Sequence, residues 1–122
     1  MNKKQSLRGV ADKLWRMCCV KAHGQDCEVC GNVGVQVHHF FPKGNFGYLR
    51  YDLKNGIILC KGCHFKLHHT FDPMINEIII KKKGRKWYNN LKKKAQEKHY
   101  SYQTVKWYEE QIKKLEDYLK LR

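Results

Sequence analysis

The 122-residue sequence predicts an α+β fold: two short strands and a helix around a four-cysteine zinc site, with a helix before them and a basic helical part after them. Three observations predict it. Four of the six cysteines fall as Cys27-x-x-Cys30 and Cys60-x-x-Cys63. Two short apolar runs, residues 35–41 and 56–60, lie between and beside these pairs and are parted by turn residues. Both flanks instead repeat apolar residues at the three-and-four spacing of a helix.

Composition narrows the function classes. Lys plus Arg is 25 and Asp plus Glu is 11, a net charge of +14. That excess calls for a polyanionic partner, nucleic acid first and an anionic membrane surface second. The longest apolar run, around Ile78-Ile79-Ile80, falls far short of the ~20 residues of a membrane span, so no membrane partner is expected. Residues 1–6 are basic but lack an apolar leader core, so export is not expected and a cytoplasmic location is. A transporter, a secreted disulfide knot, a two-domain cofactor enzyme and a coiled-coil rod are all excluded as expectations. The length suits one domain over 1–122, read as an N-terminal helix (1–26), a zinc-knuckle core (27–69) and a basic extension (70–122).

The first helix is expected over 7–21, with Leu7, Val10, Leu14, Met17 and Cys18 on one face and Trp15 closing the edge of the core. Cys18 and Cys19 are adjacent and read as small buried apolar residues. The two Cys-x-x-Cys pairs read as a zinc site, because each two-residue gap lets one knuckle supply two thiolates to a tetrahedral ion. No thioredoxin-like pattern surrounds them to favour a redox pair. A strand over 35–41 ends at Pro42, which cannot donate to a sheet ladder. A loop to Asp52, a second strand over 56–60 and a helix from Cys63 follow. In the last part, from Asp72, a strand is expected over 77–81. Trp87, Leu91 and Ala95 then mark an amphipathic helix. A final helix over 101–121, N-capped by Ser101, carries the seam Val105, Tyr108, Ile112, Leu115 and Leu119. That seam either docks on the domain or joins a second copy as a homodimer.

Five of the seven histidines crowd into 38–69. His64 and His68 are four apart on a helix and share a face, while Cys63 and Leu67 share another, rotated about 100°. One helical turn can therefore give Cys63 to the zinc and aim two imidazoles at a second point. The His38-His39 segment is the natural opposite wall. Strand neighbours face opposite ways, so a bulged backbone is expected at 38–39 if both rings serve one site. Imidazoles suit Zn²⁺, Mn²⁺ or Ni²⁺ better than Ca²⁺. A divalent cation, an imidazole base and a basic surface together describe a metal-dependent nuclease.

The run Cys27-x-x-Cys30, Val37-His38-His39-Phe40-Phe41-Pro42-Lys43-Gly44, Asn55-Gly56-Ile57-Ile58-Leu59-Cys60-Lys61-Gly62-Cys63-His64-x-x-x-His68 resembles the HNH endonucleases of the zinc-knuckle kind, common in bacteriophages. The resemblance covers about a third of the chain. It implies a small ββα-metal, treble-clef-like core. It also implies that His39 is the general base, that His38 and His64 hold a catalytic divalent cation (Mg²⁺, Mn²⁺, Ni²⁺ or Zn²⁺), and that His68 joins them as in relatives with a His-x-x-x-His helix. Asn55 is the family's N, which binds metal in some relatives and orients the hairpin by hydrogen bonds in others. His23, His69 and His99 match nothing in the motif.

Arg50 is the candidate phosphate clamp, against a salt bridge to Asp52. Residues 81–98 hold nine Lys/Arg against one acid, Glu97, and are the expected DNA-positioning surface. Trp87, Tyr88, Trp107 and Tyr108 are expected in the core. The function expected is a metal-dependent DNA endonuclease with low or structure-based specificity, nicking or cutting both strands. The alternatives are a non-catalytic zinc-knuckle nucleic-acid binder, a branched-DNA recombination nuclease, and a subunit that works with other phage proteins.

Overall fold

A computed structural model describes residues 2–69, 73–99 and 102–120, without the side chains of His69 and Pro73. The expected N-cap Ser101, Asp72, Leu121 and the His69 side chain lie outside the described residues. The architecture is α+β. Helix α1 (Lys3–His23) precedes an antiparallel pair, β1 (Gln36–His39) and β2 (Gly56–Leu59), then α2 (Lys61–His69), α3 (Pro73–Lys83), α4 (Arg85–Gln96) and α5 (Val105–Lys120). No described helix is long and apolar enough to cross a membrane.

Helix α1 begins earlier than the apolar pattern suggests. Asn2 and Gln5 form a capping box, each side chain accepting from the other's backbone N–H. Its buried face is Ala11, Trp15, Cys18 and Cys19. Val10 and Met17, expected inside, are each 49% exposed. The sequence carries two overlapping stripes, and the one that includes the indole and the two thiols is the one buried. Cys18 and Cys19 are fully buried, as expected.

Helix α5 runs parallel to α1 and packs on it. The Arg8 Nε donates to the Tyr108 hydroxyl (3.3 Å), the Cys18 thiol to the Leu115 carbonyl (3.3 Å), and the Lys21 ammonium to the Tyr118 carbonyl (2.7 Å). Lys21 thus satisfies a carbonyl in the last turn of α5, where cations are favoured. The 105–119 seam docks on the domain: Tyr108 and Leu115 are buried there, with Ile112 and Leu119 packed alongside.

The expected strand at 77–81 is instead part of α3. Ile75 and Ile79, one turn apart, are buried against Ile57, Leu59 and the knuckle cysteines. A helix brings Ile75 and Ile79 within about one turn of each other on one face, whereas an extended chain would space them about 13 Å apart; packing overrides β propensity here. Helix α3 ends at Gly84, whose φ of +102° suits glycine and whose N–H donates to the Ile80 carbonyl (2.8 Å). The expected amphipathic helix is α4, with Leu91 1% exposed. Of the four aromatics expected in the core, two are buried and two are half-buried at its edge. Trp107 and Tyr108 are buried, and Trp87 and Tyr88 pack on Phe40 and Phe41.

β1 is shorter than the apolar run, and Asn55 explains why. The Phe40 N–H still donates to the Asn55 carbonyl, but the Phe41 N–H turns to the Asn55 side-chain oxygen (2.8 Å). The pairing Gln36–Leu59, Val37–Ile58, His38–Ile57, His39–Gly56 is regular. The bulge expected at 38–39 is therefore not there.

Candidate active site

The two knuckles close on one another. Glu28 of the first knuckle fixes it to β2: its N–H donates to the Ile58 carbonyl (2.8 Å) and its carboxylate accepts from the Ile58 N–H (2.7 Å). The second knuckle spans the end of β2 and the first turn of α2. The sulfurs of Cys27, Cys30, Cys60 and Cys63 lie within 4.8 Å of one another. Zn–S bonds of about 2.3 Å in a tetrahedron need sulfurs about 3.8 Å apart, so the donor set and its spacing fit zinc. Burial raises the Cys27 thiol, but backbone hydrogen bonds from Cys30, Cys60 and Val29 outweigh it and bring it down to about 6. That favours the thiolate a metal needs.

The start of α2 gives Cys63 to the sulfur group and His64 and His68 to a second, separate group. The ring centroid of His38 lies 6.2 Å from that of His64 and 5.2 Å from that of His68, and the latter two are 4.5 Å apart. Ligating nitrogens of all three fall within 4.8 Å of one another, a facing trio that fits a divalent ion. Burial first, then the neighbouring His68 and His64, push His38 down to about 3. It is a neutral imidazole at physiological pH, the form that can ligate.

His39, the next residue, faces the other way. Its ring stacks on the Trp15 indole, centroids 4.1 Å apart and planes 7° from parallel. Its Nε2 lies 2.9 Å from the Arg50 carbonyl. A carbonyl only accepts, so the proton sits on Nε2 and Nδ1 keeps a lone pair. Burial lowers the His39 pKa; the bond to Arg50 opposes this without reversing it. The strand ends at His39, and the cleft beyond it is lined by His38, His39, His64 and His68 with Pro42, Lys43 and Gly44. His38 and His39 both line this cleft without any distortion of β1.

Asn55 is fully buried. Its side-chain nitrogen donates to the Phe41 and Leu49 carbonyls (3.0 and 3.3 Å) and its oxygen accepts from the Phe41 N–H. Its amide is engaged with backbone and ties the loop after β1 to the start of β2. Arg50 does not face the cleft as a free clamp. It forms a two-pronged pair with Asp12 of α1, and Asp52 pairs with Lys94 instead. Lys43 is the cation in the cleft lining. His23 bonds the Leu53 carbonyl and His99 stacks on Tyr48, both apart from the trio.

The basic stretch 81–98 divides. Lys83 pairs with Glu28, Lys94 with Asp52, and Lys82 donates to the Val29 carbonyl. Lys81, Arg85, Lys86, Lys92, Lys93 and Lys98 are exposed.

Cysteine knuckles, a hairpin and a His-x-x-x-His helix in this order meet one description. Residues 27–70 match the HNH endonuclease family. The HNH match begins at the first knuckle cysteine and takes in the hairpin and α2, so every cysteine and histidine assembled above lies inside it. α1, α3, α4 and α5 lie outside it. No curated protein and no solved structure matches the chain. Sequence reasoning missed Trp15 and Asp12, which approach the HNH segment from α1. Neither belongs to the motif, and only the fold brings them there.

Proposed function

We propose that the chain is a metal-dependent DNA endonuclease, a hydrolase of phosphodiester bonds that nicks one strand or cuts both with low or structure-based sequence specificity. One observation carries this reading: three facing imidazoles, His38, His64 and His68, share a cleft with His39, whose Nε2–H is bound and whose Nδ1 keeps a lone pair. His38, His64 and His68 would hold the catalytic cation, whether Mg²⁺, Mn²⁺, Ni²⁺ or Zn²⁺; when bound, it supplies Lewis-acid stabilisation to a phosphate. His39 is the general base that takes a proton from water at Nδ1, and its lowered pKa keeps it neutral for that task. Lys43 contacts phosphate at the mouth of the cleft. Asn55 acts through the backbone, holding the hairpin that carries both histidines. The four cysteines hold a structural Zn²⁺.

DNA lies along the exposed lysines and arginines of 81–98, whose contacts to phosphate position but do not specify. Helices α1 and α5 share a core with Ile58 of the hairpin, which supports reading residues 1–122 as one nuclease domain.

The test is a supercoiled-plasmid assay with Mg²⁺, Mn²⁺, Ni²⁺ and Zn²⁺ on the zinc-loaded protein, with His39→Ala as control. Wild type is expected to cut and His39→Ala to bind DNA equally but cut about 10²–10⁴-fold more slowly. Equal rates overturn the assignment of His39. Binding without cleavage under every cation makes the protein a non-catalytic nucleic-acid binder. A strong preference for branched over plasmid DNA makes it a recombination nuclease.

A further inference from the structure

We propose that α1 is part of the catalytic apparatus: Trp15 is a positioning residue that fixes the plane of the His39 ring, and Asp12 supports it by holding Arg50. The proposal rests on the reading of His39 as the base.

Two sides of His39 are set by residues outside the strand that carries it. The indole of Trp15 covers one face at 4.1 Å, nearly parallel. The ring's Nε2–H donates to the Arg50 carbonyl. Arg50 is itself anchored, its Nε and a terminal nitrogen reaching the two Asp12 oxygens at 2.9 and 2.8 Å. Asp12 and Trp15 lie three apart on α1, so they share a helix face. One helix therefore delivers the stack and also the counter-ion of the residue that accepts the imidazole proton.

The indole is held as firmly as the ring it covers. Trp15 is 2% exposed, and its Nε1–H donates to the Asp52 carbonyl (3.1 Å). It gains its place because the residue paired with His39 in the ladder is Gly56. A Cβ there would come within 3.0 Å of the Trp15 ring and 2.4 Å of the Cys19 sulfur. A side chain on Gly56 would thus displace the helix that orients the base. An imidazole clamped on one face and one edge has little freedom about its side-chain torsions. The remaining edge, Nδ1, is held in one orientation, and a base misplaced by about 1 Å loses about a hundredfold in rate.

The experiment compares zinc-loaded wild type, Trp15→Phe, Trp15→Leu, Asp12→Asn and His39→Ala. It reads kcat and KM for plasmid nicking in Mn²⁺, DNA affinity, thermal unfolding, and the imidazole ring-proton shifts of His39 by NMR. Trp15→Leu is expected to lose about tenfold to a hundredfold in kcat per folded molecule, with KM and DNA affinity within about twofold. Its His39 ring protons should lose the upfield shift that an aromatic face imposes. Trp15→Phe, which keeps a flat ring, should recover most of the kcat and of the shift. Asp12→Asn should lower kcat several-fold without changing DNA affinity. A folded Trp15→Leu with wild-type kcat, beside an inactive His39→Ala, overturns the positioning role and leaves the nuclease reading intact. Should Trp15→Leu fail to fold, Asp12→Asn decides: wild-type kcat and unchanged His39 signals overturn the proposal. A wild type that fails to cut under any of the cations overturns the nuclease reading and this proposal with it.

Discussion

Asp12 and Arg50, thirty-eight positions apart, meet in a two-pronged ion pair with oxygen–nitrogen distances of 2.9 and 2.8 Å. Both side chains are largely covered, 24% and 13% exposed. Burial raises the Asp12 pKa, but the hydrogen bond and charge of Arg50, helped by Tyr51 and Lys43, outweigh it and hold the carboxyl below its ordinary value.

A group depressed in the folded state stabilises that state above its unfolded pKa, and the contribution is lost as pH falls through the folded value. Asp12→Asn is therefore expected to cost about 1.5–3 kcal/mol at neutral pH, as for a hydrogen bond to a charged group. The gap from wild type should close as pH drops below the ordinary Asp range near about 3.9. Urea melts of both proteins across pH measure this, and acid loss of zinc, common to the two, falls out of the difference. A gap that is constant with pH would mean that charge is not what holds the pair.

Removing zinc should unfold residues 27–69. Cys27, Cys60 and Cys63 are members of the second apolar cluster, together with Ile57, Leu59, Ile75 and Ile79. A structural zinc supplies roughly 10–16 kcal/mol, comparable to the whole stability of a small domain. Chelation is expected to abolish near-UV dichroism and broaden the amide signals of β1, β2 and α2. Native dichroism in a zinc-free sample would contradict this.

Asn55→Ala should destabilise the protein by about 2–4 kcal/mol, because it strands the buried Leu49 carbonyl and the part-buried Phe41 N–H and carbonyl. Its folded fraction should still bind Mn²⁺ at the His38, His64 and His68 trio. Calorimetric titration checks this; loss of Mn²⁺ affinity in folded protein would make Asn55 a ligand after all.

The lysines of 81–98 should separate into two kinds. Alanine at Lys86, Lys92 and Lys93, all exposed, should weaken DNA binding and flatten its salt dependence by about one unit of slope for each phosphate no longer neutralised. Alanine at Lys83 or Lys94, which pair with Glu28 and Asp52, should lower thermal stability more than DNA affinity. Fluorescence anisotropy at several salt concentrations, beside thermal melts, distinguishes them. Uniform losses across all five would remove the distinction.

What could be read from the residues in order was whatever local spacing encodes. The two cysteine pairs, the shared face of His64 and His68, and the apolar seam of α5 follow from chemistry and helical period alone; that the seam docks on α1 does not. The elements that escaped are set by distant partners. Three consecutive isoleucines favour a strand until Ile57 and Leu59 are in place to receive Ile75 and Ile79 on one helical face. The nearest acid to Arg50 in sequence is Asp52, yet Asp12 takes it, and Lys94 takes Asp52. Nothing periodic marks Trp15 for His39; only the absence of a side chain at Gly56, seen once the ladder register is known, makes room for it.

The parallel packing of α1 against α5 has a consequence for biogenesis. Lys21 reaches the carbonyl of Tyr118, 97 residues further along, so α1 leaves the ribosome well before its companion and finds it only after the whole HNH segment has been synthesised. Pairings this far apart are costly to close and form late. A nascent chain can thus fold its zinc knuckles while α1 still lacks the helix that seats it. With α1 in the positioning role proposed for it, competence to cut is deferred until translation has passed α5.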